Sequence, residues 1–233
     1  ARRLWPLVAA ADDFLVARRV GGRELATVLA GYPWFADWGR DTMISLPGLM
    51  LATGRLAEAR SCLETFARFE SEGMVPNRFD DNDEALAFYN TVDASLWFLH
   101  ALSAYAQASG EALEAGGLLL LAAKRIIAGY ERGTRFGIGV DPGDGLVFAG
   151  SETTQLTWMD ALRDGVAFSP RHGKCVEINA LWHSGLRAVA ALIEREEPEA
   201  AGELRAKAAR VAKSFRSAFV RPDGRGLYDC LRP

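Results

Sequence analysis

Apolar residues recur three and four positions apart along most of this chain, and that period commits it to helices. Leu4, Val8, Ala11 and Leu15 form one such stripe; Leu56, Ala59, Leu63 and Phe66 form the next. Val92, Leu96, Leu99 and Leu102 follow, then Ile178, Leu181, Gly185, Val189 and Leu192, then Leu204, Ala208, Val211, Phe215 and Phe219. With the apolar segment 41–53 and the Leu-rich stretch 112–131, the pattern predicts about seven helices. Alternating strand patterns are nearly absent, so the expected class is all-α. The one predicted turn or small hairpin is VDPGDGLVF at 140–148, where Pro, Gly and Asp cluster. Short corners such as 53–55 alternate with long connectors at 31–40, 73–90 and 132–175. Long connectors in a compact domain are functional or disordered. These are full of Trp, Phe, Tyr and Arg, which argues for order. The expectation is stacked helical hairpins whose long loops gather at one end, without a strict sequence repeat.

Several function classes drop out. The net charge is −3 with both signs interspersed, so no basic stripe offers a nucleic-acid surface. The longest apolar run, 116–123, stops at Lys124 and Arg125, well short of a membrane span. The opening ARRLWPLVAAADDF reads as an amphipathic helix rather than a leader, because Asp12 and Asp13 follow its apolar stretch at once. Cys62, Cys175 and Cys230 are odd in number and far apart in sequence, form no CxxC, and suit a reducing compartment. Three histidines, none spaced as HxxxH or HExxH, provide no metal site, and no cofactor is expected. RFGIGVDPGDG fails as a dinucleotide fingerprint at Pro142, and SPRHGKC fails as a phosphate loop at Phe168.

Four segments concentrate chemistry. In GYPWFADWGRD, 31–41, three aromatics lie among Asp37, Arg40 and Asp41. Asp41 serves equally as the cap of the following helix. Capping does not account for Arg40 beside it or for Trp34, Phe35 and Trp38 before it. Aromatic faces stack on the C–H faces of a sugar, and adjacent Arg and Asp match its hydroxyls with donors and acceptors. In FYNTVDASLWF, 88–98, Asn90 and Asp93 read as a capping pair or as polar contacts, with Trp97 and Phe98 in the core. In QLTWMDALRD, 155–164, Asp160 follows Trp158 and Met159. A carboxyl pressed against Trp158 is desolvated and stays protonated, as a general acid must be, whereas a loop or cap Asp needs no such setting. In SPRHGKCVEINALW, 169–182, Glu177 suits a helix start, and Arg171 and His172 suit a surface.

Taken in order, GYPWFADWGRDT, VPNRF with YNTVDASLWF, QLTWMDA and SPR.GK.VEINALW resemble the C-terminal glucosidase region of glycogen debranching enzymes, the amylo-α-1,6-glucosidases. The resemblance implies an (α/α)6 toroid of helical hairpins around a central pocket. It implies inverting hydrolysis of single α-1,6-linked glucose stubs on trimmed glycogen or other α-glucan branches, in the cytoplasm. Asp160 is then the general acid. Arg40 and Asp41 hold hydroxyls of the terminal glucose, and Trp34, Trp38 and Trp158 form apolar walls. Asp37, Asn90, Asp93, Arg171 and Glu177 complete the substrate-binding candidates. Inversion requires a second carboxylate about 6.5–9.5 Å away. The resemblance places that base, and the last helices, beyond position 233, so residues 1–233 are expected to be a partial domain. The sequence departs from the family at LRDGVAF after WMDA, and at His183 and Ser184 in ALWHSGL. Two other readings stay open: another (α/α)6 glycosidase of trehalase or glucoamylase type, and a non-catalytic glucan-binding fragment.

Overall fold

The computed structural model describes residues 3–31, 35–80, 83 and 86–232. Among these are seven α-helices: α1 Trp5–Asp12, α2 Gly39–Leu46, α3 Leu56–Arg68, α4 Ala94–Ser109, α5 Leu118–Arg132, α6 Val176–Ile193 and α7 Pro198–Phe219. A π-helical turn, Pro47–Leu51, prolongs α2. Each stripe after the first is buried as its period demands: Ala59, Cys62, Leu63 and Phe66 on α3, for example, are inaccessible to solvent. The π turn after α2 packs against α3, α4 against α5, and α6 against α7, while α4 also packs on α2, α3 and α6. The pairing accords with stacked helical hairpins; a ring of six pairs is not seen among the described residues.

The all-α expectation needs correction, because five two-stranded antiparallel sheets are present among the described residues. The largest is the hairpin of β1, Leu15–Val20, with β2, Arg23–Val28. Its two-residue turn is Gly21-Gly22, with φ of 57° and 76°, the left-handed pair that suits the twist of a hairpin. The first helix therefore ends at Asp12, and Leu15 begins a strand instead of closing the helical stripe. Only Ala11 of α1 is buried; Leu4, Trp5 and Leu7 are exposed. Strand β2 packs on α3, where Ser61 Oγ accepts the Ala26 N–H at 2.9 Å and Thr65 Oγ1 donates to the Ala26 carbonyl at 2.9 Å. These bonds satisfy an edge whose groups would otherwise be left open. The expected VDPGDGLVF turn is present, with Gly139–Val140 paired to Val147–Phe148.

The described parts of the long connectors are tied down by backbone pairing. Arg78–Phe79 pairs with Ala87–Phe88, Val92 N–H donates to the Leu156 carbonyl at 2.9 Å, and Lys174–Cys175 pairs with Cys230–Leu231. Close backbone approaches fix their paths. A Cβ on Gly129 of α5 would lie 2.5 Å from Gly73 Cα and 2.7 Å from the Glu72 carbonyl oxygen. Helix propensity alone favours Ala over Gly by about 1 kcal/mol. We expect Gly129→Ala nonetheless to destabilise the fold by about 1–3 kcal/mol through overpacking. Urea unfolding checks this, and a stabilised variant would show that the turn and helix are not in such contact.

Candidate active site

The start of α2 forms the floor of the candidate site. Gly39 N–H donates to the Asn77 carbonyl at 2.7 Å, and any Cβ on Gly39 would meet the Pro76 carbonyl oxygen at 2.1 Å. Only glycine lets the helix begin so near that connector. The next residue, Arg40, is buried and spreads its guanidinium over three partners. Nε donates to Asp93 Oδ2 at 2.7 Å, Nη1 to Asp160 Oδ2 at 3.0 Å, and Nη2 to the Thr157 carbonyl at 3.0 Å. Burial works against its charge, but Asp93 and then Asp160 outweigh it, so Arg40 is held more firmly protonated than usual.

A cavity of about 400 Å³ opens over this arginine, lined by Phe35, Trp38, Arg40, Asp41, Trp158 and Asp160 with Ala30. Trp38 is half-buried, whereas Trp158 is 56% exposed and stands at the mouth. The Asp160 side chain is one-third exposed. Arg40 occupies its Oδ2, and Oδ1 accepts no hydrogen bond among the described residues. Asp41, although exposed at its outer edge, is the carboxyl that burial in the cavity wall raises above the ordinary range, against the pull of Arg40.

The other sequence candidates are not in the cavity's described lining. Trp34 falls outside the described residues. Asp37 is buried and both its oxygens are taken by Arg18, at 2.7 Å each. Asp93 precedes α4 but caps nothing with its carboxylate; it accepts Arg40 and, at Oδ1, the Thr91 hydroxyl at 2.6 Å. The neighbouring Thr91 hydroxyl accepts the Asp93 and Ala94 N–H groups at 3.3 Å. Asn90 is exposed on the turn before it. Arg171 and Glu177 form a pair behind the cavity. Arg171 is buried, bonds both Glu177 oxygens, and grips Asp229 through Nε at 3.0 Å and Nη2 at 2.8 Å. Glu177 foremost, with Asp229, keeps its guanidinium strongly charged.

Sequence reasoning missed Thr157, which joins the two arginines. Its carbonyl receives Arg40, and its hydroxyl receives Arg171 Nη1 at 3.3 Å. Nothing in QLTWMDA marks that threonine, since both partners arrive from distant segments. The departure LRDGVAF, in contrast, carried a readable signal. Asp164-Gly165, with φ of 51° and 77°, turns a small hairpin pairing Leu162–Arg163 with Val166–Ala167 next to the site. Among the described residues no cluster of His, Cys, Asp and Glu has the makings of a metal site. Nor is any helix long and apolar enough to cross a membrane.

Two outcomes follow from this geometry. Arg40→Leu strands the buried Asp93 charge and should cost about 3–5 kcal/mol, read by chemical unfolding. For Asp41, a raised pKa in the folded state means that the proton is held more tightly folded than unfolded. Ionisation therefore costs stability as pH climbs through the window just above the ordinary Asp value, and the cost is complete at neutral pH. Thermal midpoints of the parent and Asp41→Asn should differ by a constant below about pH 3 and diverge in favour of Asn as pH rises. Parallel curves would show that the carboxyl is not desolvated.

Residues 9–233 match the family model described as amylo-alpha-1,6-glucosidase. The glycogen debranching enzyme of Saccharomyces cerevisiae is 28% identical, in a match covering 72% of this chain and 15% of the yeast enzyme. The chain thus spans a small part of that relative's length. Among solved structures, a rhamnosidase from Klebsiella oxytoca with rhamnose bound superposes with a TM-score of 0.53, over 80% of this chain and 33% of its own, at 20% identity. At that identity the likeness speaks to the helical fold alone. With the family model spanning nearly the whole sequence, the chain belongs to the amylo-α-1,6-glucosidase family of glycosidases.

Proposed function

We propose that this protein is a glycoside hydrolase acting on α-glucans, removing single α-1,6-linked glucose stubs from trimmed branches with inversion at the anomeric carbon. The observation that carries the reading is one cavity in which Asp160, Arg40 and Asp41 meet Trp38 and Trp158. Aromatic walls supply apolar faces for a pyranose ring, and Arg40, Asp41 and Asp160 supply polar partners for its hydroxyls, as recognition of a sugar requires. Asp160 protonates the glycosidic oxygen from Oδ1, the oxygen Arg40 leaves open, while Arg40 keeps the carboxyl in place. Asp41 accepts hydroxyl protons of the terminal glucose. Asp37, Asp93, Arg171 and Glu177 orient this set through their ion pairs, and Trp34 and Asn90 are proposed at its margin. The family model, and the yeast relative named as a glycogen debranching enzyme, support an α-glucan substrate. The helix pairs are proposed to belong to an (α/α)6 toroid and the protein to act in the cytoplasm.

The test is glucose release from a maltooligosaccharide bearing one α-1,6-glucosyl stub, with NMR reading the first anomer and trehalose and maltose as controls. β-Glucose should appear first, and Asp160→Asn should lower kcat by about 10²–10⁴-fold. α-Glucose first, preference for trehalose, or an Asn variant with full activity would each defeat the assignment.

A further inference from the structure

Two of the three cysteines, 55 residues apart, are brought face to face behind the site. Cys175 pairs directly with Cys230 in the antiparallel ribbon of Lys174–Cys175 and Cys230–Leu231. Their sulfurs are 3.3 Å apart. The ladder places them well for a bond. Val176 N–H donates to the Asp229 carbonyl at 3.0 Å, which makes the next pair along, Cys175 with Cys230, a non-hydrogen-bonded one. At such positions the Cα atoms are about 4.5 Å apart and the side chains lean together. Disulfides accept Cα separations of about 4.4–6.8 Å. Cys175 is buried, Cys230 is partly exposed, and Cys62 lies on α3, inaccessible.

The surroundings divide the labour between the two thiols. Cys175 Sγ approaches the Arg171 carbonyl at 3.4 Å, and Cys230 Sγ approaches the His172 carbonyl at 3.2 Å. The charged groups nearby are Arg171, Glu177 and Asp229. The hydrogen bond with Cys175, helped by the Arg171 charge, lowers the Cys230 thiol below its usual range. The same contact and burial push Cys175 up. An accessible, more acidic thiol beside a buried partner is the arrangement of an attacking and a resolving cysteine.

We propose that Cys175 and Cys230 form a reversible modification site, a dithiol that low-molecular-weight disulfides such as oxidised glutathione convert to a cross-strand disulfide. The Cys230 thiolate attacks the small disulfide, forming a mixed disulfide and releasing one thiolate. Cys175 then attacks the Cys230 sulfur, closing the protein disulfide and releasing the second. Two protein thiols are oxidised, one small disulfide is reduced to two thiols, and the two protons pass to the released thiolates. The sulfurs need only close from 3.3 Å to about 2.05 Å. The bond pins the strand that Asp229 immediately precedes, and hence the grip of Asp229 on Arg171, to the strand leading into α6. A ribbon of two residues per strand is weak by itself, so a covalent link there matters.

The test equilibrates the native full chain with graded mixtures of reduced and oxidised glutathione, then quenches and denatures it. Titratable thiols should fall from three to one, with intact mass lower by two hydrogens. A non-reducing tryptic map should join peptide 175–187 to the peptide beginning at 226. The thermal midpoint should rise on oxidation and return on reduction, whereas Cys230→Ser should show neither mass loss nor rise. The proposal is overturned if Cys230 stops at a glutathione adduct, if the link forms only in urea, or if oxidation joins separate chains instead.

Discussion

The buried guanidinium of Arg40 is the contact on which the site depends. It lies at the start of α2 and gathers groups from positions 53, 117 and 120 residues away: Asp93, the Thr157 carbonyl and Asp160. A buried ion pair of this kind contributes little net stability, because desolvating the charges offsets most of their attraction. Its effect is positional. Once Arg40 and Asp93 are both buried, each costs several kcal/mol without the other, so the helix starts of α2 and α4 are held in one relation. Asp160 is then the outermost of the arginine's partners, with one oxygen fixed and the other accepting no hydrogen bond among the described residues.

A second arginine holds the same connector from behind. Arg171 reaches the Thr157 hydroxyl while Arg40 takes its carbonyl, so one residue is gripped on two sides immediately before Trp158. Arg171 is in turn anchored by Glu177, in the first turn of α6, and by Asp229, close to the strand that carries Cys230. A loop of more than forty residues between α5 and α6 is thereby ordered without a long sheet or helix of its own. Its charged anchors, together with the burial of Leu146, Val147 and Leu156, set where Asp160 and Trp158 stand. The same anchors explain why a change at the Cys175–Cys230 pair would be felt at the back of the site.

How much of this was legible varied with the range of the forces involved. The helices after α1 could be read because a buried stripe repeats every turn and needs no knowledge of the partner it packs on, whereas α1 buries only Ala11. The hairpin of β1 and β2 was missed. Its glycine pair was a usable signal, but LVARRV and RELATV do not alternate cleanly: Arg18 turns inward to meet Asp37, and β2 buries Thr27 beside Val28. The same oversight hid the hairpin at Asp164-Gly165. Asp93 looked like a cap because its position suited one, yet its carboxylate is drawn to a charge that only the fold brings near. Asp37 was grouped with the substrate contacts because it shares a segment with Arg40, whereas its own partner lies on a strand.

The sequence alone therefore determined the helices, their order, the long connectors between them and the family to which the chain belongs. Those properties rest on local periodicity and on short motifs, both written along the chain. Which carboxylates face the cavity and which are spent on arginines was decided only by the tertiary structure. So was the meeting of Cys175 with Cys230. An ion pair or a thiol contact depends on a few ångströms between residues far apart in sequence, and spacing along the chain carries no record of that distance.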